Sequence, residues 1–245
     1  MKRLWALIIA VSLGWSAWGF PLGWNQVDTL SYGRVLRLTA NSTNSDSSAP
    51  DSAGYTNNAS AKANIEFPTL LFLTNLVCGS SIDMYGNNYA NNTTLSLPMT
   101  NLTFSAWFKE TSASAFGDFL FQSGHDGHSW GVYTPLSQLL TWYEQDASGA
   151  SNSNITITFG HTYLVVATYS TTNVTLYCYD QTAGTNAVQS MLVGVVTGQT
   201  PGYWWGIYQI VNIWFIGVLD ELCVWNRQLT VTEIQQLYNG GYSLP

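Results

Sequence analysis

The stretch that most constrains this chain lies near its C-terminus, from Phe215 to Gly240. Val218, Leu222 and Val224, with Asp220 and Asn226 among them, alternate as one half-buried strand of a sheet does. A turn follows. Thr230 and Glu233 then have the spacing of a capping box, Ile234 and Leu237 supply an apolar helical face, and Gly240-Gly241 supply the left-handed conformation that ends a helix. The segment predicts a strand, a turn and one short capped helix.

The order of residues from Gly217 to Gly241 resembles the closing segment of the laminin G-like, concanavalin A-like jelly-roll domains. Cys223 is the exception, standing where that family usually carries a polar residue. Asp51-Ser-Ala-Gly54, continuing to Asn58-Ala59-Ser60, resembles an early loop of the same family, with Ala59 in place of its second glycine. Ile82 to Ala90 is similar to the family's early strand and turn, Phe104 to Lys109 to its central strand, and Val174 to Tyr177 to a later one. The resemblance implies an all-β fold over residues 32–245, a two-sheet antiparallel β-sandwich of the concanavalin A-like jelly-roll type with one short C-terminal helix. It also implies that Trp107 is core packing. A structural calcium at the edge of the sandwich would take Asp220 and Asp51 as its carboxylates, since calcium requires six to eight oxygen ligands.

Read without the resemblance, the middle of the chain still alternates with period two in short runs separated by turn residues. Such runs occur at residues 32–38, 102–108, 119–121, 131–133, 138–143, 155–159, 163–169 and 174–179. Short strands with no helix before the end indicate two antiparallel sheets packed face to face. Residues 184–217 depart most from the family pattern and are unusually aromatic.

Met1-Lys2-Arg3 followed by the apolar run Leu4 to Leu13 reads as the basic and hydrophobic parts of a signal peptide, with Ala17 and Gly19 at the positions a peptidase reads. Residues 1–19 are therefore expected to be a signal peptide and 20–31 a lead-in segment, leaving a secreted or cell-surface protein with no membrane span in the mature chain. The formal charge is −7 and only 9% of residues are charged. An acidic chain this poor in Lys and Arg has no footprint for nucleic acid. Of the three cysteines, Cys178 reads as a core residue, which leaves Cys78 and Cys223 as a pair that could form a disulfide in an exported domain.

Sugars stack their C–H faces on aromatic rings and hydrogen-bond to amides and hydroxyls, and this chain has 11 Trp and 14 Tyr. Trp130, Trp142, Trp204 and Trp205 are candidate ligand platforms, the alternative being that they fill the core. His125 and His128 read as a solvated hairpin loop, and His161 as a turn or edge residue. Glu144 and Asp146 carry two of the three acids of the glucanase strand pattern and lack the third. Seven Asn-x-Ser/Thr triplets, at Asn41, Asn58, Asn91, Asn92, Asn101, Asn154 and Asn173, agree with export and add nothing to mechanism. The expectation is an exported, non-catalytic module that binds a glycan or glycoprotein surface. The alternatives are a structural or adhesive subunit that self-assembles and a glycoside hydrolase.

Overall fold

The computed structural model describes residues 34–38, 72–74, 80–83, 90–92, 100–112, 118–124, 130–144, 149–194, 203–208 and 213–240. All of them fall in the unit Gly33–Pro245, and the expected signal peptide and lead-in lie outside them. In chain order the strands are β1 (Arg34–Leu38), β2 (Phe72–Thr74), β3 (Ser80–Asp83), β4 (Ala90–Asn92), β5 (Asn101–Glu110), β6 (Asp118–Ser123), β7 (Trp130–Thr134), β8 (Leu139–Glu144), β9 (Gly149–Thr156), β10 (Tyr163–Ser170), β11 (Asn173–Asp180), β12 (Thr185–Leu192), β13 (Tyr203–Trp205), β14 (Ile207–Tyr208), β15 (Ile213–Trp214) and β16 (Gly217–Trp225). One helix, α1 (Val231–Gly240), follows.

An 8-stranded sheet runs β12-β11-β10-β5-β16-β3-β2, with β1 also paired to β16, and a 6-stranded sheet runs β4-β13-β6-β7-β8-β9. A small ribbon joins β14 to β15, and the pairings are antiparallel. This is the expected two-sheet sandwich with its short terminal helix. The core lies between the sheets because each strand sends every second side chain inward. On β5 these are Leu102, Phe104, Ala106 and Phe108. Thr103, Ser105, Trp107 and Lys109 face the other way.

That outer face is covered too. Helix α1 buries Ile234 and Leu237, and its Tyr238 ring lies 6.2 Å from Trp107 and 4.5 Å from Tyr179. Trp107 is thus core packing, in the layer beneath the helix. The predicted capping box is present: Glu233 N–H donates to Thr230 Oγ1 (3.3 Å), and Thr230 N–H returns a bond to Glu233 Oε2 (2.8 Å). Thr103 fixes the link from β16 to the helix, since its hydroxyl donates to Arg227 O (2.8 Å) and accepts from Leu229 N–H (2.9 Å).

Strand β16 differs from the simple alternation read in the sequence. Its register against β5 shifts between Asp220 and Cys223, so Glu221 and Leu222 together oppose Ala106. Glu221 has a left-handed φ of 48°, the signature of a bulge. The extra residue re-phases the strand so that Leu219 and Leu222, three apart, both reach the core. With the helix on its other side, β16 is buried on both faces rather than half-buried.

Cys178 is a core residue as expected; burial first, then the nearby Asp180 charge, pushes its thiol up to about 12. Cys223 is buried and Cys78 lies outside the described residues. No helix among the described residues is long and apolar enough to cross a membrane.

Candidate functional site

Alternation on β7 and β8 decides which aromatic residues can meet a ligand. Trp130, Val132, Leu140 and Trp142 point into the core, so Gly131, Tyr133, Thr141 and Tyr143 lie on the outer face of the 6-stranded sheet. Cross-strand register places Gln122, Gly131 and Tyr143 in one row and Tyr133 beside Thr141 in the next. The Tyr133 and Tyr143 rings are half-buried, 6.1 Å apart and nearly perpendicular at 86°. They present two aromatic faces at right angles, with phenol groups at their ends.

Between Gln122 and Tyr143 the floor of this strip has no side chain. A Cβ at Gly131 would meet Phe121 O at 2.2 Å, because β6 is bulged where it pairs with β7. Glycine is what the close backbone approach permits. Burial first, and then the neighbouring Tyr143, raises the Tyr133 pKa. Its hydroxyl therefore keeps its proton at neutral pH and can both donate and accept.

The tryptophans named from sequence are placed differently. Trp130 and Trp142 are each 0% exposed, stacked at 5.1 Å, and Tyr169 lies 5.5 Å from Trp142. They are pillars of the core rather than ligand platforms, which corrects that expectation. Trp204 and Trp205 sit on β13, in register with Gln122 and Phe121 of β6. Trp204 therefore shares the row of Gln122, Gly131 and Tyr143. What sequence reasoning missed is parity: Tyr143 directly follows Trp142, and a strand that turns one inward turns the other outward.

The carboxylates are committed to the scaffold. Glu144 is fully buried, accepting from Trp142 Nε1 (2.7 Å) and from Gly194 N–H (2.9 Å), and so ties the 6-stranded sheet to the chain beyond β12. Glu110 crosses between the sheets at another point, where Thr134 Oγ1 donates to it at 2.9 Å. Thr134 lies four residues along β7 from Trp130, the register partner of Glu144, so the two carboxylates are tied to different points of that strand. Asp146, His125 and His128 lie outside the described residues.

Asp220 is buried at the β16 bulge, and its Oδ1 accepts from Glu221 N–H at 2.8 Å, which supports the strained residue. Asp51 lies outside the described residues. Among the described residues no group of three or more His, Cys, Asp or Glu converges as a metal site. His161 precedes β10 in a turn, its Nδ1 2.8 Å from Asp180 Oδ2, while Ala183 N–H donates to Asp180 Oδ1 (2.8 Å). Burial pushes the Asp180 carboxyl up, but hydrogen bonds from His161, Ala183 and Tyr163 outweigh it and hold it below the usual range.

Comparison with known proteins agrees with this architecture. A family model described as the concanavalin A-like lectin/glucanases superfamily, Laminin G type, matches residues 85–235. No curated protein matches the chain in sequence. Among solved structures, the binding domain of botulinum neurotoxin DC in complex with rat synaptotagmin II has a TM-score of 0.63 at 14% identity, covering 87% of this chain and 52% of that one. A botulinum neurotoxin type C structure, from work on cell entry through two ganglioside molecules, gives 0.64 at 14%, again covering 87% and 52%. The DC binding domain with SialylT gives 0.61 at 13%, covering 87% and 52%. The chain thus spans about half the length of these structures, and at such identities the likeness is one of fold.

Proposed function

The chain belongs to the concanavalin A-like lectin/glucanases superfamily, and from that premise we propose that it is an exported, non-catalytic module that binds carbohydrate or a glycosylated surface. The observation that carries this reading is the strip on the outer face of the 6-stranded sheet. Tyr133 and Tyr143 offer perpendicular, half-buried rings over Gly131, while Gln122 and Thr141 are fully buried beneath them and donate to Gly124 O and Leu139 O. A pyranose fits that chemistry, with its C–H face on a ring and its hydroxyls on the phenol groups. Among proteins of similar fold, botulinum neurotoxin type C is described as depending on two ganglioside molecules for cell entry and a DC binding domain as in complex with SialylT, which supports the same class of ligand.

Hydrolysis loses its best candidate in this reading, because Glu144 is occupied by Trp142 and Gly194. Calcium enters as a structural ion near the β16 bulge, with Asp220 as its acid from the sandwich and Asp51 as its acid from the early loop. The test is a glycan array probed with the wild-type protein and with Tyr143→Ala, each with and without chelator. Binding by the wild type that falls at least about tenfold in the variant, the loss of one stacking aromatic, supports the site. Equal binding by both proteins would move recognition elsewhere, and no binding on any glycan would remove the lectin reading.

A further inference from the structure

Strand β12 closes one end of the 8-stranded sheet, and among the described residues nothing pairs with its far side. The direction of its backbone groups follows from one bond. Val193 N–H donates to Thr172 O at 3.0 Å while Leu192 stands opposite Asn173. Leu192 and Asn173 are therefore a non-hydrogen-bonded pair, and the ladder's alternation turns Ala187, Gln189 and Met191 toward β11. The amides and carbonyls of Asn186, Val188, Ser190 and Leu192 point outward. The same residues carry the exposed side chains, with Val188 56% and Leu192 85% accessible.

Edge strands are normally guarded by charge, proline, a bulge or short length. Strand β12 has eight residues, none charged and none proline, and keeps regular register throughout. Other edges are less open: Gln189 Oε1 caps the Asn154 amide of β9 at 2.6 Å, and β2, at the opposite end of the same sheet, has three residues. A chain of net charge −7 repels its own copies. The uncharged β12 is where that repulsion is weakest.

We propose that β12 is a self-association edge, through which two copies pair antiparallel about a two-fold axis at Ser190. This register sets Ser190 against Ser190 of the second copy and Val188 against the second copy's Leu192, twice by symmetry. Each of these is a pair whose outward amides and carbonyls bond reciprocally, and the apolar side chains meet on one face. The contact is isologous and closes at two copies. A β12-to-β2 contact would be heterologous, but β2 is too short to satisfy eight residues.

The inference stands apart from the glycan reading, since it uses neither tyrosine. The test is sedimentation of the full chain across a concentration series, beside Ser190→Lys and Leu192→Lys. Ser190→Lys places two like charges on the axis and gives up only an exposed hydrogen bond to Thr175 Oγ1 (2.8 Å), and Leu192 is exposed, so each variant should fold with a melting temperature close to that of the wild type. A wild-type dimer that dissociates at least tenfold more readily in both variants is the expected result. Should one variant misfold, the other decides. Ser190→Cys should also form a disulfide-linked dimer under mild oxidation, whereas Leu136→Cys, exposed elsewhere, should not. A wild type that stays monomeric, grows into open assemblies, or dimerises equally well in the lysine variants overturns the proposal.

Discussion

Replacing Glu233 by Gln removes one charge from the joint that holds α1 against the sheet. Both oxygens of Glu233 are engaged by Arg227, at 3.0 and 2.7 Å, and Thr230 adds its amide and hydroxyl at 2.8 and 2.9 Å. Burial pushes the carboxyl up, but the bonds from Arg227 and Thr230 and the guanidinium charge overrule it and bring the pKa from 4.5 to about 2. At about 1.4 kcal/mol per unit this is roughly 3 kcal/mol of preference for the charged form. The side chains of Arg227 and Glu233 are only 20% and 9% exposed, so solvent screens little of it. The folded pKa is the lower one, so this increment is present above pH 4.5 and is lost as pH falls toward 2. Urea denaturation at pH 7 should show Glu233→Gln less stable than wild type by about 3 kcal/mol. The gap should close toward zero near pH 2. A variant as stable as wild type at pH 7, or a gap that persists in acid, would refute the reasoning.

The remaining predictions use the same measurements. Glu144→Gln sets an amide donor against one of two N–H groups and should cost about 2–3 kcal/mol in a urea melt. Gly131→Ala forces a methyl onto Phe121 O and should lower stability by about 2–4 kcal/mol, seen as a fall in melting temperature. If calcium binds at Asp220, chelator should lower the wild-type melting temperature and leave that of Asp220→Asn unchanged; an unaffected wild type would end the calcium proposal.

Much of the fold was legible because local signals agreed. The Thr230–Glu233 box, the alternation of β5 and the strands β10 and β11 read out of sequence as they stand in the structure. The β16 bulge was not legible, since period two predicts Val218, Leu222 and Val224 on one face and only tertiary packing shows that Glu221 is the inserted residue. Strand β12 was missed for a related reason. Thr185 to Leu192 lacks the β-branched and aromatic run of a central strand, because an edge strand buries little. At the site, composition pointed to tryptophan, yet the largest rings go where burial is most favourable. The smaller Tyr133 and Tyr143 stand on the outer face of the sheet, half-buried.

The placement of charge connects these observations. Glu110, Glu144, Asp220, Glu221 and Glu233 are all buried, and Asp180 is held by His161. In a chain with only 9% charged residues, that much acid inside leaves the described surface to hydroxyls, amides and rings. The net charge of −7 still repels polyanions at long range, so an uncharged patch is where a partner approaches most easily. Contact at short range, by stacking and neutral hydrogen bonds, is what it offers, and binding of that kind should change little with ionic strength. The same neutrality at β12 is what the proposed edge-to-edge pairing would use. Internal acids that lock the sandwich thus leave uncharged patches outside, and the two proposals, a sugar over Tyr143 and a second β12, both use such a patch.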